Sequence, residues 1–143
     1  MFSNDKSGWN DDVLIGITPE EVGVSANKRF ACVHQDSASQ VRTIVVDDTD
    51  AVVNTWYHIA ITCDSSSLRL YVNAALKDTT AKAGTALIYG GNTTYFGQNV
   101  GNDSVGDYDG DLDDVRFFDR VLTQTEIDGL YNDGDGTEDD SGK

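Results

Sequence analysis

Two neighbouring runs of strict alternation constrain this chain more than any other feature. Residues 55–63 (TWYHIAITC) place Tyr57, Ile59, Ile61 and Cys63 on one side, and residues 68–72 (LRLYV) do the same with Leu68, Leu70 and Val72. A repeat of two is that of a β-strand with one face buried. Between the runs stand Asp64-Ser65-Ser66-Ser67, polar residues with turn chemistry, so an antiparallel hairpin is predicted. Arg69 and Tyr71 fall on the opposite side. A lone hairpin with one apolar face is marginal in water and needs a second apolar layer.

The rest of the chain offers such a layer. Residues 13–17 (VLIGI), 29–34 (RFACVH), 41–46 (VRTIVV), 76–79, 86–89 and 94–98 (TYFGQ) read as further short strands. Turn-prone stretches separate them. They are a polar loop over 3–12 with Trp9, a connection over 18–28 with Pro19, an acidic link over 47–54, the Gly90-Gly91-Asn92 turn, and a long Gly-, Asp- and Asn-rich loop over 99–110. No internal repeat is present. The chain has 143 residues, enough for one domain with a real core. The pattern predicts a sandwich of antiparallel strands.

Residues 109–131 (DGDLDDVRFFDRVLTQTEIDGLY) add the one helical signal. Residues 112–118 read as a closing strand with Val115 and Phe117 on one face and Asp113 on that face at its start. Thr123-Gln124-Thr125-Glu126 is a capping box, in which Thr123 bonds the Glu126 amide and Glu126 bonds back. Ile127, Leu130 and Tyr131 then form an apolar stripe at i, i+3 and i+4. The tail, residues 132–143, has no apolar residue after Tyr131 and reads as a disordered acidic segment.

Charge narrows the functions. Asp+Glu 25 against Lys+Arg 10 gives a formal net charge of -15, which argues against nucleic acid or an anionic membrane surface as partner. No run is long and apolar enough to cross a membrane as a helix. Residues 1–5 lack the basic start and apolar core of a signal peptide, so any secretion signal would lie outside this chain. The two cysteines, Cys32 and Cys63, both fall in predicted strands. They are either a disulfide, with a chain-entropy contribution of ~3–4 kcal/mol, or free thiols acting as small core residues. With His34 and His58 they make no plausible zinc set.

Three segments in order resemble a known family. Thr55-Trp56-Tyr57-His58-Ile59-Ala60 followed by Leu70-Tyr71-Val72-Asn73 resembles the "W-h-H-v-A … l-Y-v-N-G" core of laminin-G-like, concanavalin A-like jelly rolls. Residues 110–123 (GDLDDVRFFDRVLT) resemble the family's closing "G-x-I-D-D-V-R-I-Y-N-R-A-L-S", and Glu126-Ile127 with Leu130-Tyr131 its terminal "E-I-x-x-L-Y". The likeness covers roughly residues 13–131. It implies an all-β jelly-roll sandwich of two antiparallel sheets with one short C-terminal helix, and a core or sheet-packing role for Trp56. His58 is expected to pack or hydrogen-bond on a sheet face. Ala74 stands where the family has a turn glycine, which predicts a looser hairpin. The family also has one or two strands before the position matching Phe2-Ser3, so residues 1–131 are expected to be a domain lacking its first strand or strands. The edge left open would invite pairing and a homo-oligomer.

The resemblance implies sites as well. Asp113 is expected to point inward at the mouth of the sandwich, where a carboxylate needs a partner. Calcium, a cation of oxygen ligands, is one such partner, with Asp107, Asp109, Asp111 and Asp12 as further ligands and Asp5 and Asp11 nearby. An EF-hand is excluded: Gly110 comes too early and the twelfth position is Phe118. Trp9, Tyr89, Tyr95 and Tyr108, beside Asn92 and Asn99, are the candidate sugar-binding residues, since loops on a rigid sandwich carry function. A glucan-hydrolysing relative would carry paired acids on a strand face. Here Glu126-Ile127-Asp128 lies on the helix and lacks a third acid, so no catalytic residue is assigned. The expectation is a non-catalytic, extracellular or surface-associated module that binds a glycan or a protein surface, with calcium as a candidate cofactor. A structural module that assembles through an open edge is the alternative, and an atypical glycosidase a second one.

Overall fold

The computed structural model describes residues 2–3, 12–17, 28–35, 42–82, 94–97 and 108–137. Among these residues eight strands and one α-helix follow in order: β1 (Phe2–Ser3), β2 (Asp12–Ile17), β3 (Phe30–Gln35), β4 (Arg42–Val46), β5 (Ile59–Cys63), β6 (Ser67–Val72), β7 (Ala75–Ala81), β8 (Tyr95–Phe96) and α1 (Gln124–Tyr131). They form a five-stranded sheet in the order β4-β3-β2-β1-β8 and a three-stranded sheet in the order β5-β6-β7. Every pairing is antiparallel. This is the expected all-β jelly-roll sandwich with its short C-terminal helix. Ser3, expected in a loop, lies instead in β1, which joins β2 to β8. The strand expected over 86–89 lies outside the described residues.

The alternating runs pair as their pattern requires. Ile59 faces Val72, Ile61 faces Leu70 and Cys63 faces Leu68. In the larger sheet the rows Ile15–Cys32–Val45 and Val13–His34–Thr43 lie across β2, β3 and β4. The two sheets meet through Val13, Cys32 and Val45 on one side and Leu68, Leu70 and Val72 on the other. Leu68 and Leu70 are wholly buried, each contributing about 1.5–3 kcal/mol. Neither Cys32 nor Cys63 forms a disulfide, Cys32 lies in this core and Cys63 packs against it. Of the two alternatives left open by the sequence, the structure shows the thiols.

The turns hold by local polar bonds. Asp64 Oδ1 accepts from the Ser66 and Ser67 amides at 2.7 and 2.8 Å, and its Oδ2 from Arg69 Nη1 at 2.9 Å. Bonds from Ser66 first, then Arg69, hold its carboxyl well below the usual carboxylate range. The β6–β7 hairpin closes through Asn73 and Ala74, at φ 49° and 61°. The looser turn expected from Ala74 is not what forms: the two-residue connection is tight, with Ala74 in the left-handed region that glycine adopts without strain.

One edge of the sandwich is closed by side chains. Asp78 Oδ2 on β7 accepts from the Val46 amide of β4 at 3.0 Å, and the Thr80 hydroxyl donates to the Ile44 carbonyl at 2.8 Å. A β-bulge makes this possible. Leu70 faces Asp78 and Tyr71 faces Leu76, so Lys77 is the extra residue. The bulge lets consecutive residues, Lys77 and Asp78, both reach β4 and the residue after it.

The closing stretch departs most from expectation. Residues 112–118 are not a ladder strand among the described residues, and Val115 and Phe117 are exposed at 51% and 58%. The cause is local. Asp114 adopts φ 48°, its amide donates to Asp113 Oδ1 at 2.8 Å, and Arg116 Nε donates to Asp114 Oδ1 at 2.6 Å. Such side-chain bonds compete with a β-ladder. The helix forms as read: Thr123 caps it, Glu126 bonds back to the Thr123 amide at 2.8 Å, and Ile127 is fully buried. Past the helix the chain makes a 3-10 turn, Asn132–Gly134, tied by Asn132 Nδ2 to the Gly136 carbonyl at 2.8 Å. The segment expected to be unstructured thus begins as a defined turn.

Candidate functional site

The site grows out of the last inward-facing row of each sheet. On β3 the inner face carries Phe30, Cys32 and His34. On β4 it carries Thr43 and Val45, and the next inward position is Asp47. The ladder continues one bond further, from the Asp47 amide to the Phe30 carbonyl at 2.8 Å. Opposite, Tyr57 precedes β5 and Val72 ends β6. The Phe30 and Tyr57 rings stand 4.9 Å apart, tilted by 60°. Where the two sheets part, these four residues bound a cavity of about 220 Å³, shared with Thr49, Asp50, Ala51, Asn73, Ala75 and Lys77.

Each polar wall is positioned by a specific bond. Asp47, only 3% exposed, accepts from the Thr49 amide at 3.0 Å and faces Lys77 Nζ at 3.6 Å, the residue the bulge turns towards it. Asp50 is held by Arg29 Nε at 3.1 Å, and the Ala51 amide donates to the Lys28 carbonyl at 2.6 Å. The loop is also pinned from inside, by the Val52 amide donating to the Tyr57 hydroxyl at 3.0 Å. Asn73 exchanges two bonds with His58, its amide donating to the His58 carbonyl at 2.8 Å and its Oδ1 accepting from the His58 amide at 3.0 Å. Beside the cavity, the Thr49 hydroxyl, donating at 3.0 Å, holds the Asp48 carboxyl below its ordinary value.

The arrangement can hold a small ligand that has one apolar face and several hydrogen-bonding groups. A carboxylate at the mouth of the sandwich, inward and provided with partners, was expected at Asp113. The structure realises that logic at Asp47. Asp113 is exposed, and its carboxylate is occupied by the neighbouring Asp114 amide. Trp56, expected in the core, is 66% exposed, because the chain enters β5 only at Ile59 and leaves Trp56 on the preceding loop. His58 packs as expected, half-buried, with its ring 5.9 Å from that of Tyr131. Its burial pulls its pKa down, against a pull upward from Asp114.

The candidate sugar-binding and metal-binding residues fall into two groups. Trp9, Tyr89, Asn92, Asn99 and Asp107 lie outside the described residues. Tyr95 sits half-buried on β8. The Tyr108 amide donates to the carbonyl of Gly97, two residues after Tyr95, at 2.8 Å. The Tyr108 ring lies over Gly110, where a Cβ would fall 2.8 Å from Cζ, and its hydroxyl donates to the Asp111 carbonyl at 3.4 Å. Asp109, Asp111 and Asp113 are exposed, and Asp12 opens β2 opposite Gln35. Among the described residues no three His, Cys, Asp or Glu side chains gather as a metal site.

Comparison with known proteins agrees with the fold. A laminin G family model, described as the concanavalin A-like lectin/glucanases superfamily, matches residues 4–128. The chain belongs to that superfamily. No curated protein matches this laminin-G-like chain closely enough to count as a relative. One solved structure is similar, residues 221–444 of an S-layer domain-containing protein from Clostridium thermocellum ATCC 27405, at 19% identity and a TM-score of 0.45. The match covers 91% of this chain and 60% of that structure. The superfamily's description spans lectins and glucanases, so membership assigns the fold and not the activity.

The sequence reading missed Asp47, Asp50, Asn73, Tyr57 and Lys77 as a group. A signal existed for part of it: Asp47 continues the alternation of Thr43 and Val45, and an acidic run leads into Trp56-Tyr57. Lys77 had none, because the bulge that re-aims it leaves no mark in the alternation.

Proposed function

We propose that this domain is a non-catalytic recognition module that binds a glycan through the loops at one end of the sandwich. The observation that supports it is the cavity between Phe30, Tyr57 and Val72, walled on its other side by Asp47, Asp50, Asn73 and Lys77. Aromatic and aliphatic surface beside a few fixed polar groups is the composition of small-ligand sites. Each acid of the cavity is engaged by a basic side chain, Asp47 by Lys77 at 3.6 Å and Asp50 by Arg29 at 3.1 Å, and the reading takes both as fixed polar groups of a binding site. Display at a cell surface or outside the cell is part of the proposal. So is calcium, for which Asp107 and Asp12 would have to add to Asp109, Asp111 and Asp113. The test is a glycan array probed with the purified protein, with and without EDTA. Binding to a defined glycan supports the reading, and its loss in EDTA supports calcium. An array with no bound glycan in either buffer contradicts it.

A second reading, a structural module that assembles with another chain, has its own observation. Leu112, Val115, Phe117, Phe118 and Val121 are all exposed between 41% and 58% along one stretch. Contiguous apolar exposure of that kind marks interaction surfaces. Sedimentation velocity at high salt, where the acidic self-repulsion is screened, would show a dimer under this reading and a monomer otherwise.

A further inference from the structure

We infer that the cavity takes a single uncharged sugar ring, recognised through its hydroxyls; this rests on the glycan reading above and names its ligand class. The first argument is size. At about 220 Å³ the cavity falls below the roughly 300–1,000 Å³ of sites for drug-sized molecules, which leaves room for one ring rather than two.

The second argument is the inventory of unused hydrogen-bonding capacity. Asp50 commits Oδ1 to Arg29, and Oδ2 has no bond among the described residues. Asn73 commits Oδ1 to the His58 amide, and its side-chain NH₂ has no acceptor among them. Lys77 stands 3.6 Å from Asp47, too far for a tight hydrogen bond, so its ammonium still has protons to offer. The cavity thus presents a free acceptor and free donors together. A hydroxyl is both donor and acceptor, and a ring with neighbouring hydroxyls satisfies both kinds at once.

Charge decides against the alternatives. A ligand carboxylate or sulfate could use only Asn73 and Lys77, and it would face Asp47 and Asp50 in a chain of net charge -15. An ammonium would find Asp47 already facing Lys77 and Asp50 already facing Arg29, and would meet Lys77 as a like charge. The apolar side fits the same ligand. The Tyr57 and Phe30 rings have electron-rich faces, and the C–H groups on one face of a sugar ring are weakly positive.

The test is an NMR titration of the ¹⁵N-labelled full chain with neutral methyl hexopyranosides, the matching uronic acids and the matching amino sugars. Two variants accompany it. Ala75→Phe fills the cavity from an exposed strand position that tolerates an aromatic residue, and Asp50→Asn removes the charged acceptor while keeping its shape. At least one neutral hexoside should shift the Asn73 side-chain amide and the backbone of residues 47–51. It should bind at least tenfold more tightly than its uronic acid or amino sugar. Ala75→Phe should abolish the shifts, and Asp50→Asn should weaken binding about tenfold. Tighter binding of the uronic acid or the amino sugar overturns the ligand class. Undiminished hexoside binding by Ala75→Phe overturns the site, while the glycan reading itself survives. Absence of shifts with every sugar overturns the inference, and the array above then decides separately whether the glycan reading falls with it.

Discussion

Substitution Asp78→Ala removes the acceptor that joins the edge of the small sheet to the edge of the large one. Asp78 Oδ2 takes the Val46 amide at 3.0 Å, in a partly buried setting. A hydrogen bond to a charged group contributes about 1.5–3 kcal/mol. The Val46 side of the bond is only half-buried, so water can replace part of it, and the expected loss is about 1–2 kcal/mol. For a chain of this length that corresponds to a fall of about 3–7 °C in Tm. Asp78→Asn keeps a neutral acceptor and should lose about half as much. Thr80→Val removes the neighbouring bond to the Ile44 carbonyl at 2.8 Å and should lose about 1 kcal/mol. The two bonds cross the same edge two residues apart, so the double variant should depart from additivity. Differential scanning calorimetry of the parent and the four variants gives the answer. A Tm unchanged in Asp78→Ala would refute the claim that this side-chain bridge closes the sandwich, and with it the reason given for the bulge at Lys77.

Three further outcomes follow from individual geometries. Ala74→Gly should stabilise the protein by about 0.5–1 kcal/mol in urea unfolding, because relief of the left-handed φ of 61° outweighs the added chain entropy; a loss of stability would contradict this. The Glu126 carboxyl is pulled down to about 2, first by the Arg120 bond and then by the Thr123 amide. Its folded value lies below the unfolded one, so its contribution is complete above about pH 4.3 and fades as pH falls towards 2. NMR titration should show Glu126 ionising near pH 2, and Arg120→Ala should move that midpoint upward; an ordinary midpoint in the parent protein would refute the pairing. Burial, and then Cys63, push the Cys32 thiol far up, so a thiol reagent should leave Cys32 unmodified in the native protein and reach it on unfolding. Rapid native modification of Cys32 would contradict its place in the core.

The parts of the fold that were legible in the sequence are those where one local rule acts alone. The alternation of Tyr57, Ile59, Ile61 and Cys63 against Leu68, Leu70 and Val72 gave the hairpin and its register. The Thr123–Glu126 capping box gave the helix start to the residue. Legibility failed where two rules compete. Residues 112–118 carry a strand-like pattern, yet consecutive acids let Asp113 and Asp114 bond their neighbours and turn the backbone. Ala74 lacks the freedom of glycine, yet Asn73 and the two paired strands hold it in the turn. At the candidate site the closing motif drew attention to Asp113, while the carboxylate buried where the sheets part is Asp47. Its base, Lys77, depends on a bulge and a sheet-to-sheet approach, which no local pattern encodes.

The central claim is that recognition is seated where the two sheets part, around Asp47 and Tyr57. The most direct measurement is a map of amide shifts on the ¹⁵N-labelled chain, taken with an array-positive oligosaccharide. The account predicts that the largest shifts cluster at residues 47–57 and 72–77. Shifts concentrated at residues 95–97 and 108–113, with residues 47–57 unmoved, would contradict it and return the site to Tyr95, Tyr108 and the acids beside them.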